Sequence, residues 1–527
     1  MEHDSVPLQM GRYTSLQKAH QELGKTWVAY FPALLLLPVV LAPPLNHDVA
    51  ANLDLTQRWI GGEALYSRLL TIDPPLIFGL NLLPAYLGKY TALGAILALQ
   101  LCVLFYGAVI WWLTVRLRRH SEEGAIERHF LNVAPVLVLL GAGYDFGQRE
   151  HLMVLGALPY LFLATRRIQG AQDSYRYVVA ILAAGAFAIK PYFLCIPAFV
   201  ELYLMFALGW RLYMRDPVPW VMAAVWVIYV ASIAILFPDY LHVMFPLIFN
   251  YYLNGGQTVW QTILVPRMGT ALVLLAPLLW IGFRSKNALL KTLSLAAIGA
   301  AVSALVQRRG WSYHIVPIEL FGCVLAGTIA SRWMDMRGSN NRQYSQSIAF
   351  GLSMLVVLFV ISSGEAPWRE LGYDDADDQT ELQALLIQSA PDERVLVLSP
   401  GIWPIYPALN YAHSHQTLRA LNLWVLQGVY RECLPDGQRY RDIGDMNWAE
   451  RNLFETVAED FAADPPKMVV IDRIAGIPWC GREFNLLEYF ERQPLFANIW
   501  ARYTFFAATS RLDLYRRVEG STDITAR

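Results

Sequence analysis

Apolar residues in this chain come in long continuous blocks, not in the strict alternation of half-buried strands or the narrow stripe of a surface helix. Taking about 20 apolar residues as one bilayer crossing, eleven spans are expected, near Trp27–Leu45, Ala92–Leu113, Phe130–Gly143, Leu152–Ala164, Val178–Ile189, Phe193–Leu208, Pro219–Phe237, Ala271–Phe283, Leu293–Val306, Ile315–Ile329 and Ile348–Ile361. Between the first two lies a polar stretch in which Asn46 or Asp48 can cap a helix carrying Val49, Leu53, Leu55 and Trp59, with Gly61-Gly62 to end it. The PPLIFGLNLLPAYLG segment that follows is too short to span, so both segments read as helices lying in the membrane interface. From about Gly364 the pattern changes. TELQALLIQSAP, WAERNLFETVAEDFAAD and NLLEYF read as helices, RVLVLS and KMVVID as buried strands, and IWARYTF and LDLYRR as alternating strands. The expected architecture is a polytopic α-helical membrane domain over residues 1–363 followed by a soluble α/β domain over 364–527.

Composition agrees: 55% of the 527 residues are hydrophobic and only 16% charged. The 42 Lys and Arg balance 43 Asp and Glu, so no basic field exists of the kind that binds nucleic acid. With the N-terminus placed inside, eighteen Lys and Arg fall in inner segments and eight in outer ones before residue 364. That bias predicts an inside N-terminus and an outside C-terminus. Met1–Lys25 is polar and no small-residue cleavage site follows the first apolar run, so that run is expected to be retained as a span. No Asn sits in an N-x-S/T sequon, which favours a bacterial inner membrane with the C-terminal domain in the periplasm. The five Cys form no CxxC pair and support no zinc module. Cys433 and Cys480 fall in the C-terminal domain, where an oxidising compartment would let them pair if they are close, which spacing alone does not decide.

Charges gather at the expected outer span ends. GYDFGQREHLM places Asp145, Gln148, Arg149, Glu150 and His151 in one turn. Charge at membrane depth is expensive, so function is the default reading, with Arg149 on a phosphate and Asp145 or Glu150 on sugar hydroxyls. The alternative is a self-neutralising turn, Arg149 against Glu150 or Asp145. Lys190, in AIKPYFL, can snorkel or hold an anion. VQRRGWSYHIVP offers Arg308 and Arg309 for phosphate oxygens, with Tyr313 and His314 as further donors. Arg267 is a weaker candidate, and the aromatic FPLIFNYYL stretch with Gly255-Gly256 as a hinge is a candidate mobile loop or plain interfacial packing.

An acidic residue just after the first span, an interfacial helix with G-G-x-x-L-Y, and a DPPL element before the second complete span resemble the GT-C superfamily of membrane glycosyltransferases. That superfamily includes the lipid A aminoarabinose transferase, the protein O-mannosyltransferases and the mycobacterial arabinosyltransferases. His47-Asp48 stands where many members have Asp-Glu. The resemblance implies a polyprenyl-phosphate-linked sugar donor, a periplasmic glycolipid, polysaccharide or protein acceptor, and Asp48 as the catalytic carboxylate. It also implies Lys190 near the carrier phosphate. A glycosyl phosphate carries a good leaving group, so an inverting displacement needs one base and cations on the departing phosphate. Asp145, Gln148, Glu150 and Asp73 then stand as sugar or acceptor contacts. No cofactor is demanded. Some relatives bind a divalent ion, for which Asp48, Glu150, His151 or His314 would be the ligands. A transporter or lipid flippase is the competing class, though its charges would be expected near the midplane and within internal repeats. If Arg149, Lys190, Arg308 and Arg309 converge, their mutual repulsion predicts that neutralising any one leaves the empty protein as stable as before or slightly more so.

Overall fold

In the computed structural model, residues 27–42, 44–118, 123–171, 173–253, 256–338, 341–363 and 378–518 are described. The polar N-terminal stretch and Gly255 lie outside these residues, and with Gly255 the proposed hinge. The chain is a mostly helical, multi-pass membrane protein with a small C-terminal sheet. Among the described residues, seven helices are long and apolar enough to cross a bilayer: Ala95–Leu117, Pro191–Leu208, Pro217–Leu236, Pro266–Arg284, Ala288–Gln307, Ser312–Arg337 and Tyr344–Ser362. The other four expected spans also coincide with helix, in shorter or more polar form. The first breaks into Trp27–Leu34 and Leu37–Leu41; the others are Ala125–Leu140, Arg149–Ile168 and Arg176–Ala188.

Contacts divide the molecule into two compact units. The first lies within residues 1–42, 103–226 and 258–368 and is a helical bundle. Ala288–Gln307 packs on Ser312–Arg337 and Cys195–Leu208, while Asn341–Ser363 packs on Ala125–Leu140 and Trp27–Leu34. Small residues allow the close approach that apolar helices in lipid rely on. A Cβ at Gly299 would sit 2.6 Å from the Ile196 Cα, and one at Gly327 would enter the Phe130 ring. Cations counted on the inner side are neutralised locally: Arg118 pairs with Glu123, Arg167 with Glu201 and Asp216, and Arg332 with Glu127.

The second unit lies within residues 43–102, 227–257 and 369–527. Its five-stranded sheet has the order β2-β1-β3-β5-β4, formed by β1 (Arg394–Leu398), β2 (His415–Gln416), β3 (Met468–Asp472), β4 (Tyr503–Ala508) and β5 (Leu512–Arg517). β1 runs parallel to β2 and β3, and β5 antiparallel to β3 and β4. The central β1 and β3 are buried, as continuous apolar runs require. One sequence expectation is corrected: the IWARYTF strand starts only at Tyr503, because Gln493 caps a helix, Pro494–Trp500, that takes the preceding residues. Cys433 and Cys480 are disulfide-bonded, with their Cα atoms 5.5 Å apart.

Both segments expected to be helical after the first span are helices, His47–Ile60 and Leu76–Tyr90. Asn46 rather than Asp48 is the cap: its Oδ1 accepts from the Asp48 and Val49 amides at 3.0 and 3.3 Å. The aromatic FPLIFNYYL segment is helical too, in short wide-turn pieces from Tyr240 to Tyr252.

Candidate functional site

In the bundle, the GYDFGQREHLM segment folds as a tight turn, for which Gly143 and Gly147 adopt left-handed backbone angles, φ 59° and 82°. Gln148 caps the following helix by accepting from the Arg149 amide at 3.0 Å. His151 Nδ1 accepts from the Gly147 amide at 3.1 Å, so the proton sits on Nε2, which donates to the Val138 carbonyl at 3.2 Å. The ring thus ties the turn to the preceding helix. Asp145, Arg149 and Glu150 are buried in this segment, the last two in the first helical turn.

Pro191 forbids helical backbone at Lys190, which is extended at φ −137°, ψ 139°, and this ends the Arg176–Ala188 helix at that point. Lys190 Nζ reaches Glu150 Oε1 at 2.6 Å and lies 4.9 Å from the Tyr313 ring centre. His314 Nε2 is 3.9 Å from the same carboxylate oxygen, and its ring stands edge-on to Tyr313 at 4.6 Å. The QRRGW turn is built by Arg308 and Gly310 in left-handed conformation, φ 49° and 64°. It sets Arg309 5.5 Å from the Trp311 ring.

Cations exceed anions here. Lys190, Arg149 and Arg309 all act electrostatically on His314, and Arg308 and Arg309 both act on Tyr192. Three turns far apart in sequence therefore supply one cluster, with Glu150 at its centre only 1% exposed. Glu150 Oε2 and His314 Nδ1 are buried without a hydrogen-bond partner among the described residues. Orphaned buried polar atoms cost about 1–3 kcal/mol each and mark a place where a bound polar group would be stabilised. Arg267 is engaged elsewhere, gripping Glu319 through two bonds of 3.0 and 2.8 Å.

As metal ligands these groups do not suffice within the bundle. His151 has both nitrogens committed to backbone, leaving Glu150 and His314, and among the described residues no three His, Cys, Asp or Glu side chains gather as a metal-binding group. Of the two pairings open to a self-neutralising turn, the one with Glu150 gives way to a partner from another turn: Glu150 is bound by Lys190, forty residues on.

Asp48 and Asp73 belong to the second unit. Asp48 lies in the first turn of the His47–Ile60 helix, 8% exposed, with His47 Nε2 at 3.7 Å. Asp73 is half-buried, and its carbonyl accepts from Tyr66 Oη at 2.7 Å. Asp54, two turns into the helix, is buried. Its Oδ1 meets His415 Nδ1 at 2.5 Å and its Oδ2 accepts from Tyr406 Oη at 2.9 Å. Burial opposes ionisation of Asp54, but the charge and hydrogen bond of His415, the Arg58 charge and the Tyr406 hydrogen bond together outweigh it and hold the carboxyl below its ordinary range. Asp54 in turn holds the His415 imidazole above its ordinary value. His415 is therefore a partly exposed partner of a buried carboxylate.

No protein-family model matches the chain, and no curated protein does. Solved structures do. ArnT from Cupriavidus metallidurans bound to undecaprenyl phosphate superposes with a TM-score of 0.56 over 95% of this chain and 98% of that one, at 11% identity. Its apo form gives a TM-score of 0.58 over 97% and 98%, also at 11% identity. At this identity the likeness establishes the fold alone: the chain folds as these ArnT structures do.

Proposed function

We propose that this chain is a membrane glycosyltransferase that moves one sugar from a polyprenyl-phosphate donor to an acceptor hydroxyl on the periplasmic side of a bacterial inner membrane. The observation that carries the reading is the cluster of buried Arg149, Lys190, Glu150 and His314 with half-buried Arg309, cation-rich and with two unsatisfied polar atoms, in a chain that shares its fold with a protein solved with undecaprenyl phosphate. A phosphate is the ligand that such an excess of positive charge favours.

In the reaction, Asp48 takes the proton of the acceptor hydroxyl, whose oxygen forms a bond to the anomeric carbon. The carbon–oxygen bond to phosphate breaks and the electron pair leaves with the polyprenyl phosphate. Attack from the opposite face inverts the anomeric centre. Arg149, Lys190 and the Arg308–Arg309 turn stabilise the charge that grows on the phosphate. Asp145, Gln148, Glu150 and Asp73 contact the sugar or acceptor. A glycolipid, a polysaccharide and a surface protein are all acceptors of the right chemistry.

Two measurements test this. Purified protein should retain undecaprenyl phosphate in native mass spectrometry and retain undecaprenol, which lacks the phosphate, far less. Envelope glycans from cells with and without the protein should differ by one sugar. Equal retention of the two lipids together with unchanged glycans would sink the proposal.

A further inference from the structure

Within the second unit, the C-terminal fold grips the helix that carries Asp48 through contacts the proposed chemistry does not use. Ten of the fourteen residues of His47–Ile60 are buried. A short helix from the far end of the chain, Ile405–Tyr411, runs along it. Tyr411 Oη accepts from the Leu45 amide at 3.1 Å, just before the Asn46 cap. Asn410 Nδ2 donates to the Ala50 carbonyl at 3.0 Å, and Tyr406 Oη holds Asp54. These contacts therefore bracket Asp48 on both sides.

Two of the three end on backbone groups, Leu45 N and Ala50 O, so what they fix is the course of the chain and not the identity of a side chain. A fourteen-residue helix is marginal by itself in water, and its setting comes from what it packs against. A catalytic base must be held to a fraction of an ångström; a displacement of about 1 Å can cost about a hundredfold in rate. A merely tethered domain would have no reason to place three hydrogen bonds within ten residues on this one helix and the residue leading into its cap.

We propose that Tyr411, Asn410 and Tyr406 are positioning residues, and that the C-terminal fold sets the placement of Asp48 for catalysis. The proposal rests on the reading of Asp48 as the base. Its test uses full-length protein bearing Tyr411→Phe or Asn410→Leu, with Asp48→Asn alongside. Three quantities are read: hydrogen exchange of the amides from Asp48 to Leu53, undecaprenyl phosphate retention, and the rate of glycan product formation in cells at equal protein level. Both strap variants should exchange about tenfold faster at those amides and form product about tenfold more slowly, as expected for a sub-ångström loosening. Retention of undecaprenyl phosphate and exchange in β1 and β3 should stay as in the parent, which a general loss of structure would not allow. Should Tyr411→Phe fail to accumulate, Asn410→Leu decides, since Asn410 is only half-buried. Full product formation by both strap variants, with Asp48→Asn inactive, would overturn positioning while leaving the base assignment standing. An active Asp48→Asn would overturn the base assignment and positioning with it.

Discussion

At the scale of single residues, the pairing of Lys190 with Glu150 changes an expectation drawn from charge alone. Repulsion among the cations predicts that neutralising any of them relieves the empty protein. Lys190, however, compensates a carboxylate that is 1% exposed, and removing one partner of a buried pair costs about 3–5 kcal/mol. Lys190→Met should therefore lower the thermal midpoint, and Lys190→Met with Glu150→Gln should recover most of the loss. A double variant as unstable as the single one would show that the pair is not what Lys190 contributes. For Asp48, replacement by Asn should keep expression and folding, because Asn46 supplies the cap, while turnover drops by about two orders of magnitude. Product assays on purified protein check this. The residues of the cluster were legible in the sequence because charge next to long apolar runs is conspicuous. Their pairings were not, since Glu150 and Lys190 lie forty positions apart and the adjacent Arg149 is an equally plausible partner by sequence.

At the scale of elements, the eleven apolar blocks and the two helices after the first of them were readable because bilayer thickness imposes a length that composition reveals directly. The limits of β4 were not, since IWARYTF satisfies strand alternation while Gln493 and Pro494 favour a helix start two and one residues before Leu495. The partnership of His415 with Asp54 was equally hidden, for it depends on two elements 361 positions apart. That pair has a pH signature. His415 is raised by Asp54, so its share of the stability is complete below its ordinary value of 6.5 and fades as pH rises through the elevated one. Asp54 is lowered, so its share is complete above 3.8 and is lost as pH falls through the depressed value. Thermal scans should place maximal stability of this unit in the mildly acidic range, and His415→Gln should flatten the decline above it; the other charged groups facing the pair are Arg58, Glu63 and Arg394. An unchanged profile in the variant would assign the pH dependence elsewhere. The disulfide closes a stretch with a sequence separation of 47, for which chain entropy predicts about 4 kcal/mol. A Cys433→Ser, Cys480→Ser variant should melt the C-terminal fold at lower temperature, readable by hydrogen exchange in β3 and by loss of the difference between reducing and non-reducing conditions.

At the scale of the whole molecule, the excess of Lys and Arg in alternate segments fixes the expected direction of insertion, with the C-terminus on the side away from the cytoplasm. An alkaline phosphatase fused after Arg527 should be active, and a green fluorescent protein dark; the reverse would move the proposed site to the cytoplasmic face. The second unit is assembled from three segments separated by long stretches of the other, a grouping that no local pattern announces. Its discontinuity has a temporal side. Asp54 leaves the ribosome 352 residues ahead of Tyr406. At about 5–20 residues per second that is an interval of about 20–70 s. Through it, a helix destined for burial must wait without the Ile405–Tyr411 helix that packs along it. Chaperones and proteases can act on the nascent chain in that interval, and any truncation upstream of residue 405 would leave that helix waiting without end.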